Sequence, residues 1–271
     1  SGWCKDRANG MDLDLKGKRA LITGASQGIG AGLAMSFAEE GADLWLTARN
    51  VENLTRLKRE IGDRFPASRV ETIPVDLTEA GSAERVVAAT GDVDILVNNA
   101  GTIPSGSLLD VDPVQWRAGW DLKVFGYINL SRLYYPRMKA AGGGVIINNI
   151  GNGGEICDPR YVAGAMGNAS LMAFTRALGG ESLGDGIRVV GVNPGPVDTD
   201  RIYNMLKKRA ADVLGDASRY SELAATYPLG RPAHVREVAD LFLFLASPRA
   251  AYISGTIVTI DGGIASRRSI V

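Results

Sequence analysis

The stretch Thr23-Gly24-Ala25-Ser26-Gln27-Gly28-Ile29-Gly30 constrains this chain more than any other. It follows the apolar run Arg19–Thr23 and leads into a segment of helical pattern, Ile29–Glu40. Glycines at such a junction let the chain turn sharply, bring its backbone close to a ligand and pack the helix tightly on the strand. The first helical turn then presents unpaired N–H groups and the positive end of its dipole, a seat for a nucleotide phosphate.

The rest of the chain repeats that strand–helix rhythm. Apolar runs at Arg19–Thr23, Leu44–Thr47, Val70–Val75, Ile95–Asn98, Val145–Ile150, Arg188–Val192 and Thr256–Ile260 are rich in Val, Ile and Leu, as strands covered on both faces must be. Helical patterns lie between them at Val51–Ile61, Ala80–Ala89, Pro113–Ala141 and Ala169–Leu183. This alternation predicts right-handed βαβ units and an α/β fold: a single doubly wound Rossmann-type domain over residues 11–271 with a mostly parallel seven-stranded sheet. Residues 1–10 are polar and irregular, a flexible arm or a non-native remnant ahead of Met11. Residues 200–232 interrupt the rhythm after a late strand and are the candidate substrate lid.

Bulk properties narrow the partners. The chain has 271 residues, is 45% hydrophobic and carries no formal net charge, which suits a large buried core and argues against nucleic acid or an anionic membrane. No apolar run approaches the roughly 20 residues of a membrane span, and no charged start leads into an apolar signal segment. Cys4 and Cys157 are isolated, so neither a disulfide framework nor a metal site is expected, and a reducing cytoplasm is the expected compartment.

Further motifs stand at the ends of later strands: Asp76-Leu77, Asn98-Asn99-Ala100-Gly101, Asn193-Pro194-Gly195-Pro196-Val197-Asp198-Thr199 and Asp261-Gly262-Gly263. With the glycine turn, this ordered set resembles the short-chain dehydrogenase/reductase family over about residues 15–263. The resemblance implies a nicotinamide dinucleotide and a small organic carbonyl or alcohol as substrate. It implies that Gly24, Ser26, Gln27, Gly28, Ile29 and Gly30 hold the phosphates. It also implies that Asp76 and Leu77 flank the adenine, that Asn99, Ala100 and Gly101 line the cofactor backbone, and that Pro194, Gly195, Val197 and Thr199 meet the nicotinamide end. A ribose with free hydroxyls wants a carboxylate at the end of the second strand, whereas a 2′-phosphate wants an arginine. The chain has Ala48-Arg49 there, which favours NADP, with NAD as the alternative.

The catalytic half departs from the family pattern. In the family a tyrosine exchanges the proton, a lysine four residues later supports it with positive charge, a serine orients the substrate oxygen and an asparagine anchors a relay water. Ala169-Ser170-Leu171-Met172 runs without gaps into Gly186-Ile187-Arg188-Val189 and fixes the frame. The lysine position is then Asn168, the tyrosine Gly164, the serine Gly151 and the asparagine Lys123. Tyr161 lies three residues before Gly164. If Asp158-Pro159-Arg160-Tyr161 starts a helix, Tyr161 is one turn from the vacated position. The Tyr161 to Asn168 spacing, followed by Ala169-Ser170-Leu171, is similar to the enoyl-thioester reductases, a divergent branch that reduces conjugated C=C bonds.

Three readings stay open. Tyr161 and Lys123 form a displaced catalytic pair, Tyr161 giving or taking the proton and Lys123 supplying the charge that Asn168 lacks. Alternatively they are structural, and the chain is a non-catalytic cofactor-binding partner or sensor. The third uses Asn152, Glu155 or Asp158. Asn152 is taken with Tyr161 and Lys123 as a candidate catalytic residue, and Asn168 as a cofactor contact. His234, the only histidine, reads as a surface helix start, and Cys157 as a small loop residue. The helices near 113–141 and 159–183 carry Phe125, Ile128, Leu130, Leu133, Tyr134, Leu171, Met172 and Phe174, more apolar surface than one face against a sheet requires, so a homodimer or homotetramer is expected.

Overall fold

A computed structural model describes residues 12–267; the arm at 1–10, Met11 and Arg268 lie outside the described residues. The elements follow in order β1 (Arg19–Thr23), α1 (Gly28–Glu39), β2 (Asp43–Ala48), α2 (Val51–Arg64), β3 (Val70–Pro74), α3 (Ser82–Thr90), β4 (Ile95–Asn98), α4 (Pro113–Trp120), α5 (Gly126–Ala140), β5 (Gly144–Asn149), α6 (Gly153–Ile156), α7 (Val162–Gly179), β6 (Ile187–Pro194), α8 (Asp200–Leu214), α9 (Tyr220–Ala224), α10 (Val235–Ala246) and β7 (Thr256–Ile260). The seven strands form one sheet in the order β3-β2-β1-β4-β5-β6-β7, every neighbouring pair parallel. Strand order reverses between β1 and β4. In sheets of this kind ligands bind at the carboxyl ends of the strands beside such a reversal.

Burial explains why the apolar runs became strands. β4 and β6 are buried throughout, while the edge strands β3 and β7 are only partly covered. One core joins α1, α2 and α10 to one sheet face through Leu33, Phe37, Leu54, Ile61 and Phe242. A second joins α3 and α5 to the other face through Val86, Leu130, Tyr134 and Met138. The Arg188 guanidinium, buried in β6, donates to the carbonyls of Leu245, Ala246 and Ser247 and so closes the C-terminal end of α10.

Some boundaries moved. The stretch expected as one helix over Pro113–Ala141 is α4 and α5 joined by a five-residue π-helical segment, Asp121–Phe125, with Lys123 at its centre. Such local widening of a helix recurs at functional sites. Asp158 and Pro159 do not start α7. Asp158 instead accepts from the backbone N–H groups of Arg160 and Tyr161 in a turn, and α7 begins at Val162 with Tyr161 as its N-cap. The lid residues fold as α8, α9 and intervening short turns. His234 is the N-cap of α10 as expected, in a reciprocal cap with Glu237. No helix of the described residues is long and apolar enough to cross a membrane.

Candidate active site

The phosphate cradle is built from backbone. Gly24 and Gly28 take positive φ, 64° and 56°, a conformation other residues rarely adopt. A β-carbon at Gly30 would stand 2.2 Å from the Gly24 carbonyl oxygen, and one at Gly24 would stand 2.7 Å from Ala100 Cα. Ser26 and Gln27 complete the turn, and Gln27, the N-cap of α1, makes no side-chain cap hydrogen bond, so Gly28, Ile29 and Gly30 enter the helix with their end of the dipole open. No acidic residue stands in that first turn. The residues present therefore fit a dinucleotide phosphate.

A polar lattice fixes this cradle to the next strands. Thr23 Oγ1 accepts from the N–H groups of Asn99 and Ala100, both at 2.9 Å. Asn99 Nδ2 donates to the carbonyls of Thr23 (2.9 Å) and Gly24 (3.2 Å), and its Oδ1 accepts from Asn149 Nδ2 at 2.7 Å. One residue deeper, Asn98 Nδ2 donates to Asn148 Oδ1 at 2.9 Å, and Asn148 Nδ2 donates to Thr175 Oγ1 at 2.9 Å. The sequence reading missed Thr23, Asn148 and Asn149. The signal was available: two Asn-Asn pairs end strands that become register neighbours, Asn98 opposite Asn148.

At the adenine end, Arg49 Nη1 lies 3.7 Å from Asp76 Oδ2, with 69% of the arginine side chain exposed. Partial burial of the Asp76 carboxylate is outweighed by two hydrogen bonds from Thr78 and by Arg49, and its pKa sits below the usual value. Leu77 packs against the second core. At the far end Gly195 N–H donates to the Ile260 carbonyl, Val197 bridges to Ala233, and the Thr199 methyl stands 3.5 Å from where a Gly28 β-carbon would be. The Pro194–Thr199 segment thus runs back from the catalytic end to the phosphate turn.

The positions that the family resemblance makes catalytic hold an exchange. Lys123 Nζ donates to Asn168 Oδ1 at 2.9 Å and, more closely, to the Ile150 carbonyl. Its stem lies against Gly101, where a β-carbon would stand 2.8 Å from both Cγ and Cδ. The Lys123 side chain is therefore turned into the site rather than out to solvent. The residue is half-buried, and burial of the ammonium pushes its pKa down to about 7, with repulsion from the Arg201 guanidinium of α8 adding to the effect. Asn168 is buried in α7. Asparagine and lysine have thus traded the positions that the sequence pattern leads one to expect.

Tyr161 fills space left by glycines. A β-carbon at Gly164 would stand 1.9 Å from Tyr161 Cζ, so the ring occupies the place of the side chain that Gly164 lacks. On its other side a β-carbon at Gly153 would be 3.1 Å from Tyr161 Cε1 and 3.4 Å from Asn168 Nδ2. The Asn168 amide therefore has its oxygen on Lys123 and its nitrogen beside the glycine that walls the tyrosine. The Tyr161 segment is pinned from outside by the loop after β4, through Gly106 N–H to the Arg160 carbonyl at 2.8 Å. Asn152 takes another direction: its Nδ2 donates to Asp261 Oδ2 at 3.1 Å. Cys157, at the end of α6, is exposed.

Comparison with known proteins agrees with this geometry. A family model described as enoyl-(acyl carrier protein) reductase matches residues 24–265. The oxidoreductase UcpA of Salmonella typhimurium is 35% identical over 254 residues, covering 92% of this chain and 95% of the relative. Galactitol 2-dehydrogenase (L-tagatose-forming) of Cereibacter sphaeroides is 34% identical over 258 residues, covering 92% and 95%. Among solved structures, L-sorbose reductase from Gluconobacter frateurii, complexed with NADPH and L-sorbose, superposes with a TM-score of 0.88 at 35% identity, covering 95% of this chain and all of that one. A parallel sheet in this order, a glycine cradle at its switch point and relatives matched end to end lead to one conclusion: the chain belongs to the short-chain dehydrogenase/reductase family of oxidoreductases.

Proposed function

We propose that this protein is an NADP-dependent oxidoreductase that interconverts a small organic carbonyl and its alcohol, with Tyr161 as acid/base and Lys123 as the supporting cation. One observation carries the catalytic part of this reading: Tyr161 occupies the volume vacated at Gly164 while Lys123 reaches Asn168 from the neighbouring helix. When bound, the nicotinamide supplies or takes the hydride. Tyr161 gives a proton to the developing alkoxide oxygen in reduction and takes it back in oxidation. Below about pH 7, where it keeps its proton, Lys123 favours the phenolate that this transfer leaves; above that pH the neutral amine serves only as a hydrogen-bond donor, and the Asn168 amide orients the lysine. Asn152 leaves the catalytic set in this reading, because its amide holds Asp261.

Arg49 supports NADP over NAD, since its exposed guanidinium makes a long contact to Asp76 near the end of β2 and is available to a 2′-phosphate. The NADPH named for the sorbose reductase relative points the same way. Cytoplasmic residence fits the two isolated cysteines. For a homodimer or homotetramer, Leu130, Tyr134, Leu171 and Met172 give no support, because they are buried within the subunit. Phe125 and Met166, 48% and 51% exposed on the same helical layer, are the residues such an interface would cover.

Reduction of a conjugated C=C bond is the second reading, favoured by the description of the matching family model. NADPH oxidation with ketoses, cyclic diketones and enones, followed by product analysis, separates the two. Tyr161→Phe is expected to lower kcat about 10²–10⁴-fold with NADPH affinity unchanged. Full activity in that variant ends the displaced-tyrosine reading. Tight NADPH binding with no turnover of any substrate favours a cofactor-binding partner or sensor instead.

A further inference from the structure

Tyr161 is the N-cap of α7: its carbonyl accepts from the Ala165 N–H at 2.8 Å and its ring lies over Gly164. The other wall of the ring comes from the short helix α6, through Gly153. What fixes α6 therefore fixes that wall of the phenol. A four-residue helix has too few internal hydrogen bonds to stay in place alone, and its sequence Gly-Gly-Glu-Ile adds two residues of high backbone freedom. Gly154 lies flat on α7, where a β-carbon would meet Ala169 N at 2.8 Å and Asn168 Cβ at 3.0 Å. That packing sets the depth of the turn but not its position along the groove.

The lateral position is set from β6 and β7. Glu155 Oε1 accepts from Asn193 Nδ2 at 2.8 Å and from Thr259 Oγ1 at 2.9 Å. Asn193 is fully buried in β6 immediately before Pro194-Gly195, and Thr259 lies on the edge strand β7. At the other end of the turn, Asn152 Nδ2 donates to Asp261 just past β7, and Asn152 N–H donates to the Pro194 carbonyl at 3.0 Å. Asp261 is itself held by the backbone N–H groups of Gly263, Ile264 and Ala265. The turn is thus tied to the sheet at both ends, through the Asp261 carboxylate at one and, at the other, through the carboxylate of the residue two positions after Gly153.

We infer that Glu155 is a positioning residue for the reaction: its carboxylate fixes α6 to β6 and β7 and thereby holds the Tyr161 ring against Gly164. This rests on the reading of Tyr161 as acid/base. Misplacing a catalytic group by about 1 Å costs as much as 10²-fold in rate, so a loosened α6 acts on kcat rather than on cofactor binding. The residues that would hold the cofactor phosphates lie elsewhere, on the Gly24–Gly30 cradle.

The test is a double-mutant cycle of Glu155→Ala and Tyr161→Phe, with Glu155→Gln and Thr259→Val alongside, read as kcat with the fastest substrate of the panel above, NADPH affinity and thermal stability. Glu155→Ala is expected to lose roughly 10–10² in kcat with NADPH affinity held. Glu155→Gln keeps an acceptor oxygen and should recover most of the rate. In the Tyr161→Phe background Glu155→Ala should cost little more, because residues acting through one group are non-additive. If Glu155→Ala fails to fold, Thr259→Val removes one donor at an edge position and should lower kcat in the same direction. Equal losses from Glu155→Ala with and without the phenol, or full activity in both Glu155→Ala and Thr259→Val, overturn the inference alone. Full activity in Tyr161→Phe overturns the reading of Tyr161 and this inference with it.

Discussion

The two ends of the candidate site are built from different materials. The phosphate end is made of backbone: two positive-φ glycines, a helix start without a side-chain cap, and a close approach of Gly30 to Gly24 that a β-carbon would block at 2.2 Å. The end proposed as catalytic is made of side chains reaching from three separate segments: Lys123 from the π segment, Asn168 from α7 and Tyr161 from the turn before it. A backbone site has no substitute for its glycines, so its motif stays in place. A side-chain site asks only that the right atoms meet, and those atoms can arrive from different positions. Here the cation and the amide have traded helices and the phenol arrives from one turn earlier.

The sharpest way to break this comparison is to fill the space the phenol uses. Gly164→Ala leaves Tyr161 in the sequence but places a methyl 1.9 Å from its ring, so the ring must leave. The expected result is a loss of about 10²–10⁴-fold in kcat, the size expected for removing the hydroxyl itself, with NADPH affinity unchanged. If Gly164→Ala keeps wild-type kcat, the ring position has no bearing on the chemistry.

The next effect tests the exchange of lysine and asparagine. Lys123→Asn removes the cation, and Asn168→Lys alone sets two ammonium groups against each other where an amide oxygen now accepts at 2.9 Å. Each single variant should lose roughly 10²-fold in kcat, within the range of a lost acid–base partner. The double variant returns one amide and one cation to the pair and should recover at least a tenfold share of that loss, a coupling within the usual range for contacting residues. Strict additivity of the two losses in a steady-state assay contradicts a shared role.

A smaller effect belongs to the cofactor end. Arg49→Ala should weaken NADPH binding about tenfold, the worth of one charge-assisted hydrogen bond at an exposed site, and leave NADH binding unchanged. Calorimetry with both cofactors checks this. Equal affinities in the wild-type protein would remove Arg49 from phosphate recognition and leave its contact to Asp76 as its role.

What the sequence made legible follows the same division. All seven strands were readable from their apolar runs: strands buried throughout, such as β4 and β6, leave a continuous hydrophobic signature, and the partly covered edge strands β3 and β7 kept enough of it to be seen. Gly24, Gly28 and Gly30 were readable because only glycine tolerates their geometry. Gly164 was readable from the frame of the family pattern, as the vacated position one turn from Tyr161, but Gly153 was not: its spacing matches no turn, and it meets the Tyr161 ring only in the folded chain. The clean split of Pro113–Ala141 was hidden because a π segment adds one residue without changing the apolar pattern enough to mark it. The helix start at Asp158 was misplaced for a different reason. Asp158 accepts local backbone N–H groups in a turn as readily as it caps a helix, and the sequence does not distinguish the two.

The smallest expected effect concerns stability, and it again sets the two ends apart. Burial lowers the Lys123 pKa to about 7 in the folded chain, against an ordinary value of 10.5. Below about pH 7 the side chain is charged in both folded and unfolded states, and burying that charge weakens the fold by a constant amount. Between about pH 7 and 10 the unfolded chain holds the proton and the native chain does not, so stability rises with pH across that window. The slope for one proton is at most about 1.4 kcal/mol per pH unit, and partial exposure of Lys123 to solvent makes the observed slope smaller. Denaturant unfolding at pH 6 and pH 9 should therefore show wild type gaining stability relative to Lys123→Met by about 1–2 kcal/mol as pH rises. The phosphate cradle, built without an ionisable side chain, contributes no such slope. A wild-type minus Lys123→Met difference that stays flat between the two pH values means that Lys123 does not lose its proton near neutrality, and the catalytic end is then no more sensitive to pH than the cradle.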